Sequence, residues 1–315
     1  MAKFAGGSTY NFGLGVSGQT SGFFIPEIYS KKVQIALRKA AVAEAICNTD
    51  YMGEISSFGD TVNIIKEPQI AVADYTRGLA VTSTALTDQE LVLTVDQAKS
   101  FSFKIDDLEK RFSHINFQAI ASDNAAYALR DAMDSNILAA INAGATVTTG
   151  MGTTSTPIDI GFASGEVDPL NQMALAAKEL DEANAPEDGR WFVAAPEWYN
   201  ALSNSSSKLL SVDFNAGQGS IRNGLVASGL LRGFQMYKSN NLPTNDLSGA
   251  TPAGSATAPV ALFGHMSSTA AASSMNKVET VRDTDTFSDI VRGLMVWGRK
   301  VLRPEVAGKI IYVID

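Results

Sequence analysis

Serine, lysine and aspartate residues in this sequence occur at spacings that are typical of covalent acyl transfer. Residues 205–208 and 274–277 each match Ser-x-x-Lys, and residues 122–124 match the Ser-Asp-Asn element of penicilloyl serine transferases. The order of these elements is wrong for that class, because Ser-Asp-Asn precedes both Ser-x-x-Lys matches and the chain contains no Lys-Thr-Gly. We interpret the matches as chance occurrences in a serine-rich chain, and a serine hydrolase is the weakest of the functions considered.

A glycine-rich motif near the start of the chain has the letters of a dinucleotide-binding loop. Residues 13–18 match Gly-x-Gly-x-x-Gly, which binds a pyrophosphate only between a strand and a helix, with an acidic residue about 20 positions later. Here a Gly/Ser-rich segment precedes the motif and Phe-Phe-Ile-Pro follows it at residues 23–26. We therefore predict no nucleotide cofactor.

Histidine, carboxylate and cysteine residues do not form a recognisable chemical site either. His114 and His265 are isolated, with no second His or Cys at metal-ligand spacing. Asp106, Asp107 and Glu109 could serve as an acid–base pair, but their position ahead of a predicted helix favours a role as negative charge at its N-terminus. Cys47 lies in an apolar run and is expected to be a buried thiol. We expect no catalytic, cofactor-binding or metal-binding residue.

Composition supports a large soluble protein without a nucleic-acid-binding face. The chain has 315 residues, of which 45% are hydrophobic, and this is enough for a sizeable core. Its net charge of −8 argues against a surface that binds nucleic acid. No stretch reaches the roughly 20 consecutive apolar residues of a membrane span, and the first residues lack the apolar region of a secretory signal. We expect synthesis inside the cell and no contact with a membrane.

The longest periodic pattern in the chain predicts one helix over residues 116–143. Apolar residues recur there at helical spacing: Phe117, Ile120, Ala121, Ala125, Ala128, Leu129, Ala132, Met133, Ile137, Leu138 and Ile141. Ser113 and Asn116 can cap its N-terminus, and Gly144 can follow its last residue. At about 1.5 Å per residue this helix is roughly 40 Å long, and we expect it to form a spine.

An antiparallel pattern precedes the helix. Residues 61–66 and 91–95 read as two strands joined by a long polar stretch, and residues 101–105 alternate as a further strand. A hairpin of this length contains too little apolar material to be stable alone. We therefore expect it to lie on another surface, most economically that of a second copy of the chain.

Shorter segments complete the pattern. Residues 1–26 are rich in Gly, Ser, Thr and Asn with isolated aromatic residues, which suits an arm that folds against a neighbour. Residues 27–46 contain good helix formers. The other predicted elements are helices over residues 170–183 and 196–202, and strands over residues 191–194, 234–238, 260–263, 278–282, 290–301 and 309–314.

Several segments, in order, resemble the major capsid proteins of tailed bacteriophages, particularly those of short-tailed phages. The motifs are residues 186–202 (Pro-Glu-Asp-Gly-Arg-Trp-Phe-Val-Ala and the helix after it), 233–243 (Gly-Phe-x-x-Tyr-x-Ser-Asn-x-Leu-Pro), 263–265 (Phe-Gly-His), 297–305 (Trp-Gly-Arg-Lys-Val-Leu-Arg-Pro-Glu) and 59–62 (Gly-Asp-Thr-Val). The resemblance extends from about residue 25 to the end of the chain.

The resemblance implies the α+β Hong-Kong-97-type capsid fold, with an N-terminal arm, an extended β-hairpin loop, a peripheral domain with a long spine helix, and an axial domain. The expected boundaries are residues 1–28 (arm), 29–54 (N-terminal helix), 55–105 (extended loop hairpin), 106–167 (peripheral domain with spine helix), 168–289 (axial domain) and 290–315 (closing strands). The arm, the hairpin and the long helix also follow from the residue pattern alone.

The resemblance also implies a function. A member of this family assembles with itself into pentamers and hexamers of an icosahedral phage head, which encloses double-stranded DNA without sequence-specific binding. The implied location is the virion, after assembly in the cytoplasm of the host bacterium. The implied partners are further copies of the chain, a scaffolding protein, a portal protein and, optionally, a decoration protein. Because a long N-terminal extension is lacking, the scaffold is expected to be a separate protein.

Inter-subunit contacts are expected from the arm, the extended loop and the closing motif: Phe12, Phe23, Phe24, Lys66, Glu67, Asp74, Arg77, Arg299 and Arg303. Some relatives form a covalent Lys–Asn cross-link, but no asparagine partner for Lys66 can be identified, so none is predicted. A bacterial encapsulin, which shares the fold and encloses enzymes, is the alternative function. The aromatic arm and the closing motif argue against it.

Overall fold

The computed structural model describes residues 38–53, 61–66, 70, 72, 74, 77–78, 89–107, 117–146, 150–204, 231–246 and 257–314. Four α-helices occur in these ranges: α1 (Ala43–Ile46), α2 (Phe117–Gly144), α3 (Pro169–Glu182) and α4 (Pro196–Leu202). The strands are β1 (Thr61–Lys66), β2 (Gln89–Thr94), β3 (Gln97–Asp106), β4 (Ile158–Asp159), β5 (Arg190–Ala194), β6 (Gln235–Lys238), β7 (Thr244–Asp246), β8 (Thr257–His265), β9 (Thr269–Arg282), β10 (Ser288–Val301) and β11 (Ala307–Val313).

Helix α2 is the predicted spine, and its 28 residues confirm the expected range to within one residue at each end. Its buried face consists of Leu129, Met133, Ile137, Leu138 and Ile141, which recur at helical spacing. Gly144 is the last helical residue rather than the first residue after the helix. A Cβ atom at Gly144 would lie 2.7 Å from Cγ2 of Val301, so glycine permits the close contact between α2 and β10.

A six-stranded sheet separates two hydrophobic cores. Its strands follow the order β4-β11-β8-β5-β6, and β7 pairs with the start of β8. On β5, Trp191 and Val193 belong to the core beside α2, whereas Phe192 and Ala194 belong to the core beside α3 and α4. Strands β8 and β11 alternate between the two cores in the same way. The result is a sheet with α2 on one face and two shorter helices on the other.

The core beside α3 and α4 is rich in aromatic residues. Trp198 packs edge-on against Tyr312 with ring centroids 4.9 Å apart, and it also packs against Phe192 at 5.4 Å. Phe234 contacts Phe192 and Phe263 in edge-on arrangements. Such edge-to-face pairs add about 0.5–1.5 kcal/mol each beyond the area that they bury. This core therefore gives the six-stranded sheet an internal source of stability.

Helix α3 begins and ends one residue earlier than the predicted range of 170–183. Asp168 is its N-cap, and the carboxylate accepts a hydrogen bond of 2.8 Å from the backbone N–H of Leu170. Pro169 occupies the first helical position, where its missing N–H is not needed. Helix α4 has the predicted bounds and also begins with a proline.

A second sheet contains three antiparallel strands in the order β3-β10-β9. Helix α2 packs on one face, where Met295 and Trp297 of β10 enter the same core as the spine residues. The indole N–H of Trp297 donates to the side-chain oxygen of Asn136 on α2 at 3.2 Å. On that face Phe101 lies directly over Gly293, so a Cβ atom at this position would meet the ring at 2.3 Å. The spine helix thus joins the two sheets through one shared core.

Strands β1 and β2 form a separate antiparallel hairpin, with Val62 opposite Leu93 and Ile64 opposite Leu91. This inward face packs on the side of the three-stranded sheet that is opposite α2. The hairpin confirms the two strands that were predicted at residues 61–66 and 91–95. Most of the stretch between them lies outside the described residues.

The N-terminal helix prediction was wrong where the structure describes the chain. In the described part of this range only Ala43–Ile46 is α-helical, Asp50–Gly53 forms a separate 3-10 helix, and residues 38–42 lead to α1 in a non-helical conformation. Side chains of α2 bind the backbone here: the Tyr127 hydroxyl accepts from Lys39 N–H and the Asp134 carboxylate from Val42 N–H, both at 2.7 Å. The amides therefore find acceptors on the spine rather than within a helix. Residues 27–37 lie outside the described residues.

The strands towards the end of the chain are longer than predicted, and β4 and β7 were not predicted. Strand β9 extends over Thr269–Arg282 instead of residues 278–282, because its first half pairs with β10 on the other side of a β-bulge at Val296 and Trp297. The domain boundaries stay a prediction. The predicted boundary at residue 290 does not coincide with a change of sheet. Strands β9 and β10 on its two sides lie in the three-stranded sheet, and β8 and β11 lie in the six-stranded sheet.

Candidate inter-subunit surfaces

The outward face of the β1–β2 hairpin carries apolar side chains that the subunit does not cover. Ile65 is 75% exposed and Val92 is 38% exposed, whereas Leu93 on the opposite face is fully buried. Alternation along a strand places neighbouring residues on opposite faces, so Ile64 lies inward and Ile65 outward. This hairpin has one face that is packed by its own chain and one solvent-exposed face on which Ile65 and Val92 lie among polar residues.

The stretch between the hairpin strands extends this surface. Ile70 is 76% exposed and Val72 is 97% exposed. The predicted contact residues Asp74 and Arg77 are also exposed. Lys66 is the last residue of β1, but its side chain lies outside the described part of the structure, as does all of Glu67. The described residues therefore combine exposed isoleucine and valine with one acidic and one basic side chain.

The turn between β9 and β10 forms a second exposed feature, which sequence reasoning missed. The Asp283 carboxylate accepts hydrogen bonds from the Thr286 hydroxyl at 2.6 Å and from Asp285 N–H at 3.3 Å, and it pairs with Lys104. Lys104, Thr286 and the Asp285 amide together hold the pKa of the Asp283 carboxyl well below its usual range. The turn is ordered by these bonds, yet it presents Phe287 at 81% exposure.

Ion pairs at the base of this turn join β9 to β10 and to Asp107, the residue after β3. Arg282 pairs with Asp107 and, at 3.1 Å, with Asp289. The Asp107 carboxylate, expected to lie ahead of the spine helix, therefore serves an ion pair with β9. A signal for this surface existed in the sequence: a lone phenylalanine stands among Asp, Thr and Ser at residues 283–288.

The two arginines of the closing motif have different environments. Arg299 is mostly buried and pairs with Asp96 at 3.3 Å within the subunit. Arg303 is exposed, and its backbone N–H donates to the Ser268 carbonyl at 3.1 Å. Only Arg303 is thus presented to solvent. The aromatic residues of the arm, Phe12, Phe23 and Phe24, lie outside the described residues.

The residues that resemble catalytic motifs do not form a site where the structure describes them. The His265 Nε2–H donates to the Asp188 carbonyl at 2.8 Å, so the neutral ring accepts at Nδ1, where the Ser267 N–H donates at 3.2 Å. His265 therefore caps the short helix at Met266–Ser268. Ser122 and Asp123 lie on the spine, and Asp123 pairs with Arg38. Residues 205–208 and His114 lie outside the described residues.

Among the described residues, no group of three or more His, Cys, Asp or Glu side chains could hold a metal ion. None of the helices in the described part of the chain is long and apolar enough to cross a membrane. Burial, with a smaller effect of Asp134, raises the pKa of the Cys47 thiol to about 12.

Comparisons with known proteins agree with this geometry. The family model described as "Phage capsid protein" matches residues 88–310. A structure from Mycobacterium phage Che8 is 30% identical, with a TM-score of 0.76, and the match covers 91% of this chain and 97% of that chain. No curated protein sequence matches the chain.

Two further structures have the same fold at lower identity. The capsid of Cyanophage P-SCSP1u is 23% identical with a TM-score of 0.70, covering 93% of this chain and 94% of that one. The mature capsid of bacteriophage PhiM1 is 16% identical with a TM-score of 0.68, covering 91% and 92%. The expected Hong-Kong-97-type fold is confirmed, and the encapsulin alternative is not favoured. The chain belongs to the phage capsid protein family, as a major capsid protein.

Proposed function

We propose that copies of this chain assemble into the pentamers and hexamers of an icosahedral phage head that encloses double-stranded DNA. The observation that carries the proposal is the exposure of Ile65 and Val92 on the outward face of the β1–β2 hairpin and of Ile70 and Val72 in the stretch that follows β1. A monomer leaves these side chains in water. A neighbouring copy that lies against the hairpin would cover them.

The energetic argument rests on repetition. Full burial of one isoleucine or valine side chain contributes about 1.5–3 kcal/mol, part of which the ordering of the loop offsets. A single contact of this kind is weak, but a closed symmetric ring repeats it in every subunit. Many weak contacts therefore stabilise the shell, and no single subunit is held irreversibly during assembly.

Charged residues in the loop fit a role in register rather than in affinity. Asp74 and Arg77 are exposed and have opposite charges, so a neighbour can align the loop by pairing with both. Lys66 and Glu67 are proposed to act with them, and Arg303 offers an exposed cation at the closing motif. Arg299 is a weaker candidate because Asp96 already pairs with it. Phe12, Phe23 and Phe24 are proposed to contact a neighbour through the arm.

Deletion of residues 68–85 tests the loop directly. The deletion removes Ile70, Val72, Asp74 and Arg77 and leaves β1, β2 and both sheets intact. We expect a folded subunit, with an unchanged near-ultraviolet circular dichroism spectrum, that forms no closed shells in electron micrographs. A matched control replaces residues 68–85 with a Gly/Ser segment of equal length, which keeps the connection but not the side chains. Normal particles from both variants would refute the loop assignment.

The partners of the shell are part of the proposal. A scaffolding protein is expected to guide assembly in the host cytoplasm, a portal protein to occupy one vertex, and a decoration protein to be an optional addition. The net charge of −8 supports a wall that repels packaged DNA and that binds a basic scaffold segment. Scaffold binding should therefore weaken as salt rises from about 50 to 500 mM. Binding that does not depend on salt would refute this electrostatic account.

We propose no catalytic activity. In the described part of the chain, His265 is occupied by Asp188 and Ser267 in a capping role. A fluorophosphonate probe should not label the purified protein above the level of its heat-denatured form. Stoichiometric labelling of one serine would refute this part of the proposal and favour the serine hydrolase.

A further inference from the structure

A buried carboxylate on the spine helix joins three distant parts of the chain. Asp134 of α2 is only 2% exposed. Its Oδ1 accepts hydrogen bonds of 2.7 Å from the backbone N–H groups of Val42 and Ala43, and its Oδ2 accepts one of 2.9 Å from Nδ2 of Asn241. In the described part of the chain no Lys or Arg forms an ion pair with Asp134, so these N–H donors replace the water that the carboxylate lost on burial.

Asn241 is the residue that completes this arrangement. It is also buried, and its Nδ2 donates a second hydrogen bond, of 2.6 Å, to Oδ1 of Asp131 one turn earlier on α2. A single amide group therefore lies between two carboxylates of the same helix face. The backbone N–H of Asn241 donates to the Ser239 hydroxyl at 3.1 Å, which holds the turn after β6 in place. Loss of this amide would leave both carboxylates without their shared donor.

The N-terminal segment, defined here as residues 38–43, is buried only at its end. Residues 38–41 are exposed, whereas Val42 and Ala43 are buried. Arg38 pairs with Asp123 at the surface, and Lys39 N–H donates to the Tyr127 hydroxyl. A groove of about 310 Å³ lies between the segment and the spine, lined by residues of both. The Asp134 hydrogen bonds and the apolar packing of Val42 and Ala43 therefore attach this segment to the spine, whereas surface ion pairs, including that of Lys39 with Asp131 at 4.0 Å, add little.

We propose that Asp134 and Asn241 form a latch, which couples the position of the 239–243 turn to the attachment of the N-terminal segment. Displacement of the turn withdraws the Asn241 donor from Asp131 and Asp134. The Asp134 carboxylate then rotates towards solvent, and the Val42 and Ala43 amides lose their acceptor. The N-terminal segment separates from the spine while both sheets stay folded. The latch rests on contacts within one subunit, so it does not depend on the proposed assembly.

Hydrogen exchange on the full-length protein tests the coupling, because Asn241 touches neither amide that it is proposed to protect. Asn241→Ala should increase exchange at the Val42 and Ala43 amides by about tenfold or more, as expected for loss of a hydrogen bond to a charged group. The matched control is Asn240→Ala, which changes an exposed neighbour of the same type. Trypsin cleavage after Lys39 should accelerate in the first variant and not in the control.

Three outcomes would overturn the latch. The first is exchange at Val42 and Ala43 that stays at the wild-type rate in Asn241→Ala. The second is an equal increase at Ile137 and Leu138 of α2, since that would show general destabilisation rather than coupling. The third comes from a double-mutant cycle: Asn241→Ala should have a smaller effect when Asp134 is already replaced by Asn, and an equal effect in both backgrounds would contradict the latch. If Asn241→Ala fails to fold, Asn241→Ser is used instead in the exchange, proteolysis and double-mutant experiments.

Discussion

The six-stranded sheet and the β1–β2 hairpin contain similar alternating apolar residues, but they bury them differently. Every residue of β5 is buried, because both faces of its sheet meet a core of the same subunit. The hairpin meets its own subunit on one face only, so Leu93 is fully buried while Ile65 is 75% exposed. The sheet is complete within one chain. The hairpin leaves Ile65 and Val92 of its second face in solvent.

Under the proposed assembly, the aromatic core folds the subunit and the outward face of the hairpin joins subunits. Substitutions in the aromatic core should lower the free energy of unfolding, and assembly should fail only as a consequence. Substitutions on the outward face of the hairpin should impair assembly and leave the free energy of unfolding almost unchanged. Trp198→Ala, Ile64→Ser and Ile65→Ser test this distinction, with successively smaller expected effects on the free energy of unfolding.

Trp198→Ala should have the largest effect. Trp198 is fully buried and packs against Phe192 and Tyr312, so its removal leaves a large cavity beside α3. We expect the free energy of unfolding to fall by about 3–5 kcal/mol in urea titrations of the unassembled subunit. A loss below about 1 kcal/mol would mean that the six-stranded sheet does not depend on its aromatic core.

Ile64→Ser should have an intermediate effect. Ile64 faces inward and packs on the cluster that contains Leu93 and Val296, but it is only partly buried. We expect a loss of about 1–2 kcal/mol in the same titration. If the loss were negligible, the hairpin would not be anchored to its own subunit, and the two faces of the hairpin would not differ.

Ile65→Ser is the matched variant on the opposite face. The residue type and the strand are the same, but the side chain is already in solvent, so the free energy of unfolding should change by less than about 0.5 kcal/mol. Shell formation, followed by light scattering and electron microscopy, should be impaired. Normal assembly together with unchanged stability would remove the reason for assigning this face to a neighbour.

Cys47 offers a probe with almost no expected effect on the native state. The thiol is buried, and its pKa is raised to about 12, so the reactive thiolate is scarce at pH 8. We expect a thiol reagent to modify Cys47 only as fast as the subunit opens. The rate should therefore rise in Trp198→Ala and stay unchanged in Ile65→Ser. Rapid modification of the wild-type protein would contradict the burial of α1 beneath the spine.

Sequence periodicity was sufficient for elements whose own residues determine them. The spine helix and α4 agree with the prediction because apolar spacing, proline positions and helix-forming residues all favour the same limits. The residues of β5 were predicted as a strand because Trp191, Phe192 and Val193 strongly favour one. The family motifs then placed these elements in one fold.

Other features depended on partners that are distant in sequence. Residues 38–42 contain good helix formers, but Tyr127 and Asp134 bind their amides and prevent a longer helix. The first half of β9 has little apolar alternation, and its pairing with β10 makes it a strand. The alternation of Thr61 and Asn63 with Val62 and Ile64 indicates that Ile64 faces inward, but the packing of the hairpin on the rest of the subunit decides how exposed Ile65 is. The exposure of Phe287 was missed although the sequence carried a signal, a lone phenylalanine among Asp, Thr and Ser at residues 283–288.

The alternation of β5 between two cores has a consequence for how the protein can vary. Insertion of one residue before Trp191 would reverse the direction of every side chain in the strand, placing the indole among the residues around Trp198 and the Phe192 ring against the spine. The two cores are packed around their native rings, so neither core has the shape for the exchanged ring. Single-residue insertions or deletions should therefore be excluded from this strand during evolution, even where conservative replacements are accepted, so the number of residues in β5 is constrained as strictly as their type.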